Sequence, residues 1–354
     1  MNQNLILLAH GSGGQLSHEM VENLFLKHFA SPILADLGDA AIVRFAAPGV
    51  PSAAGEQRFA FTTDSYVVSP IFFPGGDIGK LAVCGTVNDL AVSGATPLYL
   101  SAGFILEEGL PLAELEQVVA SMAATARAAG VEIVTGDTKV VEHGKADKLF
   151  INTAGVGLMP AGLELGSARA RPGDVVLLSG YIGDHGMTIM SQREGLRFSS
   201  PLVSDCAPLN GLVADMLSIL AGSARGEGLA ALRCMRDPTR GGLATTLNEI
   251  AGRAGVGIEI EESAIPVRDG VRAACEMLGL DPLYVANEGK LVAFAAPGVA
   301  DELLVTMRTH PYGGDAAVIG RVTAEHAGRV VLHTALGARR VVDVLAGEQL
   351  PRIC

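Results

Sequence analysis

QRFAFTTDSYVVSPIFFPGGDIGKLAVCGTVNDLAVSGATP, residues 57–97, sets the fold class. Its first dozen residues alternate and are rich in Phe, Thr and Val, which predicts a strand reaching a polar end at Asp64. After the Gly75-Gly76 pair, Asp77 is placed to cap a helix. Ile78, Leu81, Ala82, Val87, Leu90 and Ala91 fall on one face of that helix, and Gly94 and Pro97 stop it. A strand leading into a buried helix is the repeating unit of an α/β or α+β domain.

The unit recurs on both sides. Upstream, the glycine-rich HGSGG (10–14) leads into a helical stretch over 16–30. Downstream, LYLSAGFIL (98–106) reads as a strand and 112–130 as an amphipathic helix with a glycine C-cap. VEIVTGDTKVVE (131–142) and KLFINTAGVGLM (148–159) read as strands. ARARPGDVVLLSG (168–180) starts a second unit with a turn and a buried strand. CMRDPTRGG (234–242) gives a short strand, a Pro/Gly turn and a helix from about Gly241. Strands near 257–261, 290–296, 316–320, 328–334 and 338–343 and a helix near 299–309 complete it. The pattern predicts a two-domain α+β protein with α/β-like units: residues 1–165, residues 166–343, and a mobile tail over 344–354.

The 354 residues are 49% hydrophobic, with 44 Gly and no Trp, an ordinary composition for a soluble protein. A net charge of −12 argues against a nucleic-acid binder. The apolar run Leu5–Ala9 is too short for a signal peptide or a membrane span, so the expected location is the cytoplasm with no membrane association. The five cysteines are widely spaced and form no zinc or disulfide pattern; Cys84 and Cys275 read as small core residues.

Asp39, Asp64, Asp89 and Asp137 stand in glycine-rich or strand-end settings in the first half, where α/β folds place ligand groups. Oxygen ligands of this kind suit Mg²⁺ bridging to phosphates. A carboxylate about 4 Å from a phosphate oxygen is repelled by roughly 4 kcal/mol at an effective dielectric of 20. An acidic ATP site therefore requires the cation. HGSGG and DPTRGG (237–242) are turns with free N–H groups, and Arg240 adds charge to the second. Neither is a Walker loop. Lys139 projects to the same side of its strand as Asp137, as a phosphate or carbonyl contact or as a plain ion pair. Glu288 stands at a turn before a strand, placed to act as a general base in a covered cleft.

The chain ends on Cys354. The dozen residues from Asp343 reach roughly 40 Å when extended, against a radius of gyration of roughly 20 Å for such a chain. The tail can thus return to a cleft on its own molecule or stretch to a partner. An exposed thiol is only a few per cent thiolate at neutral pH, so Cys354 needs a very reactive electrophile.

Taken together, LAHGSGG, TDSYVVSPIFFPGGDIGKLAVCGTVNDLAVSGA, GFILEEGLP, VTGDTKVV, LFINTAG, VSDCA, DPTRGG, ANEGKLV and the terminal PRIC resemble the HypE family of hydrogenase maturation factors along the whole chain. The resemblance implies homodimers whose N-terminal sheets pair into a β-barrel. It implies ATP and Mg²⁺ between that barrel and the C-terminal domain. Metal ligands would be Asp39, Asp64, Asp89 and Asp137, and nucleotide contacts Gly13, Gly14, Asp64, Asn88, Asp89, Asp137, Asp237, Thr239 and Gly241. A partner carbamoyltransferase would load Cys354. The enzyme would dehydrate the S-carboxamide to a thiocyanate with Lys139 and Glu288 as catalytic groups. An iron-carrying scaffold complex would take the cyanide for a [NiFe]-hydrogenase. Two alternatives remain: a superfamily enzyme acting on a free small molecule, and a non-catalytic thiol carrier.

Overall fold

The structure is a computed structural model, described over residues 5–29, 31–45, 57–196, 201–222, 228–345, 350 and 352–354. Helix α1 (Gln15–Met20) continues through a π-helical turn. Strands β1 (Ala41–Phe45), β2 (Gln57–Tyr66), β5 (Thr96–Glu107), β6 (Glu132–Val141) and β7 (Leu149–Leu158) form an open five-stranded sheet in the order β1-β2-β7-β5-β6. Short strands β3 (Phe72–Phe73) and β4 (Gly76–Asp77) pair separately and lead into α2 (Ile78–Val92). Asp77 caps α2 as expected, accepting the Gly79 N–H at 2.7 Å and the Lys80 N–H at 3.0 Å. β1, which the sequence reading lacks, sets Asp39 at the rim of the sheet.

Helix α2 is apolar on nearly every side because it is enclosed on nearly every side. It lies against the sheet, against α3 (Leu112–Ala129), and against the second half of the chain. Among the described residues the opposite face of the sheet is uncovered. Phe61, Tyr99 and Ile105 stand 44–48% exposed there. The edge strand β6 is exposed along almost its whole length. Among the described residues the sheet does not close into a barrel.

The second half builds a seven-stranded sheet in the order β14-β13-β10-β12-β8-β11-β9. Its strands are β8 (Val175–Leu178), β9 (Leu232–Arg236), β10 (Gly257–Glu261), β11 (Val292–Ala295), β12 (Ala317–Thr323), β13 (Val330–His333) and β14 (Arg339–Val342). Alternate residues go to opposite layers. Val176 and Leu178 face the core containing α6 (Gly242–Ala254). Leu177 faces the core of α5 (Asn210–Gly222) and α8 (Pro297–Thr309), which Ala91 and Val92 of α2 join. Helices α4 (Asp184–Arg193) and α7 (Asp269–Leu278) also belong to this half. Among the described residues no helix is long and apolar enough to cross a membrane.

The expected mobile tail ends in a docked segment. Ile353 is only 3% exposed and belongs to the core cluster under α2, and Leu350 and Cys354 pack against that cluster. Pro351 of the tail lies outside the described residues.

Candidate active site

Four aspartates converge from both halves of the chain on a cavity of about 200 Å³. Asp64 comes from β2, Asp89 from α2, Asp39 from the segment before β1, and Asp237 from the residue after β9. Carboxylate oxygens of Asp39, Asp89 and Asp237 lie within 4.8 Å of one another. Thr62 ties two of these residues together. Its hydroxyl lies 2.8 Å from Asp89 Oδ2 and 2.9 Å from the Asp39 carbonyl. The Tyr66 hydroxyl donates to Asp64 at 3.2 Å.

This concentration of negative charge is only partly compensated. Arg236 Nε lies 2.6 Å from Asp39, and its Nη2 lies 3.1 Å from Glu249, which is also bonded to His18 at 2.9 Å. Burial pushes the Asp39 carboxyl up to about 6 against the pull of Arg236. Burial and then the Asp39 charge push Asp237 up to about 8. Burial, followed by Asp64, Asp237 and Asp39, raises Asp89 well above the carboxylate range. Buried oxygens held together against their own repulsion are the donor set of a hard divalent cation.

The same cavity is lined by Thr239, Arg240, Glu288 and Cys354. Glu288 is 3% exposed, and its Oε1 has no hydrogen-bond partner among the described residues. Burial holds its carboxyl well above the usual range. Its turn is fixed from below: Asp205 Oδ1 accepts the Glu288 N–H at 3.1 Å, and Asp205 pairs with Lys290 at 3.2 Å. Burial pushes the Cys354 thiol up to about 12, with Arg240 pulling the other way. The thiol is therefore a poor nucleophile while docked. In this seat Cys354 is suited to present a group already attached to its sulfur.

The glycine loops close the neighbouring groove. Gly13 has φ +77°, and a Cβ there would lie 3.1 Å from the Arg240 carbonyl; at Gly14 it would lie 2.6 Å from the Leu345 carbonyl. The HGSGG turn thus packs on the DPTRGG turn and on the base of the tail. Arg240 crosses between them to the Gly11 carbonyl at 3.1 Å. Gly14 and Gly241 line the groove beside Cys354, whereas Gly13 does not reach it.

Three further expected site residues stand elsewhere. The cause for Asp137 and Lys139 is strand parity. Asp64 pairs with Thr153, Thr153 with Ala102, and Ala102 with Gly136. Asp137, one residue on, points to the other face, the uncovered one. There it is 70% exposed and paired with Lys139 at 2.5 Å. Within one chain neither reaches the aspartate cluster. Asn88 is buried with both ends of its amide in use: Nδ2 donates to the Ala207 carbonyl at 3.1 Å and Oδ1 accepts the Leu209 N–H at 2.7 Å. It clamps α2 to the second half and has no free group for a nucleotide. Asp237, expected as a nucleotide contact, takes the place in the carboxylate cluster that Asp137 was expected to fill. Its signal in the sequence was its position as the first residue after a strand.

The AIR synthase related protein N-terminal domain matches residues 37–159, and the corresponding C-terminal domain matches residues 171–333. The carbamoyl dehydratase HypE of Azotobacter vinelandii is 55% identical over 347 residues, covering 98% of this chain and 96% of that protein. A crystal structure of the hydrogenase maturation protein HypE in complex with ATP superposes with a TM-score of 0.79 at 51% identity, covering 99% of this chain and all of that one. A chain from a HypE–HypF complex gives a TM-score of 0.82 at 46% identity, covering 92% of this chain and 99% of that one. The chain belongs to the carbamoyl dehydratase HypE family within the AIR synthase related proteins.

Proposed function

We propose that this protein uses ATP to dehydrate an S-carboxamide carried on its own Cys354, giving a thiocyanate. The observation that carries the reading is that Cys354 lines the same cavity as Asp39, Asp64, Asp89, Asp237 and Glu288. An amide oxygen is a poor leaving group, and phosphate is a good one. The carboxamide oxygen attacks the γ-phosphorus of ATP and the bond to the β-phosphate oxygen breaks, releasing ADP. The nitrogen then loses its protons, the C–O bond breaks, phosphate leaves, and C≡N forms on sulfur. One amide and one ATP give one nitrile, one ADP and one phosphate.

Glu288 is the base assigned to the nitrogen. Its raised carboxyl makes it a stronger proton acceptor once ionised, and its free Oε1 leaves room for the N–H. Magnesium held by Asp39, Asp64, Asp89 and Asp237 would neutralise the phosphate charge. Thr239, Gly241 and Gly14 supply contacts for the nucleotide beside that cluster. Arg240, next to Cys354, stabilises negative charge developing on the amide oxygen.

We divide the chain into residues 1–165 for dimerisation and ATP–Mg²⁺ binding, 166–343 as the second domain, and 344–354 as the substrate arm. The uncovered sheet face with Phe61, Tyr99 and Ile105 is assigned to a homodimer in which two sheets close a barrel. Asp137 and Lys139 lie on that face and belong to the dimer contact. A carbamoyltransferase of the HypF kind would load Cys354, and an iron-carrying scaffold would unload it for a [NiFe]-hydrogenase in the cytoplasm.

The test is infrared spectroscopy of protein bearing a ¹³C-labelled carbamoyl group on Cys354. Addition of ATP and Mg²⁺ should produce a nitrile band shifted by the label. ATP hydrolysis with no such band contradicts the reading.

A further inference from the structure

The end of the tail is held by a seat with several separate features. Residues 67–69 hold it through two main-chain bonds. The Val67 N–H donates to the Cys354 carbonyl at 3.1 Å, and the Ser69 N–H donates to the Arg352 carbonyl at 3.4 Å. Arg352 returns a bond from Nε to the Val67 carbonyl at 3.0 Å, and its Nη1 reaches Asp147 at 2.6 Å. Arg193, at the end of α4, bonds the carbonyls of both Ser69 and Arg352.

Between these polar contacts Ile353 is 3% exposed in the core cluster. Its carbonyl meets His185, which is completely buried. The ring's Nε2 lies 2.8 Å from that carbonyl, and its Nδ1 lies 2.8 Å from the Ser204 hydroxyl. A carbonyl can only accept. Nε2 therefore carries the proton, and Nδ1 accepts from Ser204. Burial lowers the His185 pKa, which keeps this neutral tautomer in place. Phe73 packs edge-on against the ring at 5.5 Å.

We propose that this seat is a sequence-reading peptide site that accepts a carboxyl-terminal Arg-Ile-Cys whether it is tethered to the same chain or offered in trans, by a free peptide or by the tail of a second copy. Hydrogen bonds to the tail's carbonyls from the Val67 and Ser69 N–H groups and from the His185 and Arg193 side chains supply the mode of binding. The Ile353 cavity and the Asp147 carboxylate supply the selectivity. Every contact named is made by the last three residues. Leu350 packs against the same cluster, and attachment to the chain contributes effective concentration, in the millimolar range for a short linker. The proposal deepens the reading of Cys354 as the delivered group and rests on that reading only for the purpose of the delivery.

The full-length protein tests it without ATP or turnover. Cys84, Cys206, Cys234 and Cys275 are at most 2% exposed, so the rate of iodoacetamide labelling in the native protein reports Cys354. A peptide with the last seven residues of the chain and serine for the cysteine is added at about 10 mM, above the effective concentration of the tether. Labelling of Cys354 should rise several-fold as the peptide displaces the tail. The same peptide with aspartate for isoleucine should leave it unchanged. In the chain itself, Ile353→Asp should raise labelling about ten-fold, since the buried side chain supplies most of the apolar anchoring. His185→Ala should raise labelling, and His185→Gln, which keeps a donor, should restore it in part. Equal labelling with the two peptides, or an unchanged rate in Ile353→Asp, overturns the proposal and leaves the dehydratase reading standing.

Discussion

Asp64 and Asp137 lie on opposite faces of one sheet, although both follow similar apolar runs in the sequence. The ladder Asp64–Thr153–Ala102–Gly136 fixes this, because Asp137 is one residue out of step. Asp64 faces the cavity shared with Asp89 and Asp237, while Asp137 faces outward.

Substitution should separate the two. Asp89→Asn and Asp237→Asn should each weaken Mg²⁺-dependent ATP binding by about ten-fold or more in titration calorimetry, from the loss of one charged ligand. Asp137→Asn should leave ATP affinity unaltered within about two-fold. Loss of affinity in Asp137→Asn comparable to that in Asp237→Asn would place the metal site elsewhere.

The pH dependence of metal binding follows from the raised carboxyls. Asp39 at about 6 and Asp237 at about 8 hold protons that unperturbed aspartates would have lost. A cation must displace those protons, so Mg²⁺–ATP affinity should climb as pH rises from 6 to 8, with net proton release. The sign for metal-free stability is opposite. Groups raised in the folded state bind more protons there, so they favour folding increasingly as pH falls through 8 and 6 towards the unfolded value near 4. Calorimetry in buffers of different ionisation enthalpy measures the released protons. Proton uptake on binding would contradict the charge assignment.

Asn88 should behave as a structural residue. Asn88→Ala leaves the Ala207 carbonyl and the Leu209 N–H without their partner across the two halves. The expected cost is about 2–3 kcal/mol in urea unfolding. Full stability together with lost ATP binding would restore Asn88 as a ligand contact.

Glu288→Gln keeps the shape of the turn and removes the base. ATP affinity should hold, while nitrile formation on carbamoylated Cys354 should slow by about 10²-fold or more in single-turnover assays. An unchanged rate would hand the proton to another group.

Much of this was legible in the chain. The alternation over 57–66 and the capped helix after Asp77 appear as β2 and α2, so Asp64 and Asp89 were correctly found at one end of a strand and on a buried helix. Strand parity was not legible, because the side to which Asp137 points depends on pairing with β5, and pairing register is long-range. The partners of Asn88 and Asp237 are hidden in the sequence for a similar reason. Asn88 is spent on residues 207 and 209, and Asp237 meets Asp39 across the join between the halves, contacts between segments far apart in sequence. The length of the tail showed that it could reach a cleft. Its seat depends on His185, Arg193 and residues 67–69, which nothing in the tail itself identifies.

The most direct test of the central claim is intact-mass spectrometry of carbamoylated protein before and after incubation with ATP and Mg²⁺. The account predicts loss of the mass of one water, located to Cys354, with one ADP and one phosphate formed per adduct. A carbamoyl adduct that persists unchanged while ATP is bound would contradict it, and would leave Cys354 a carrier that its own cleft does not process.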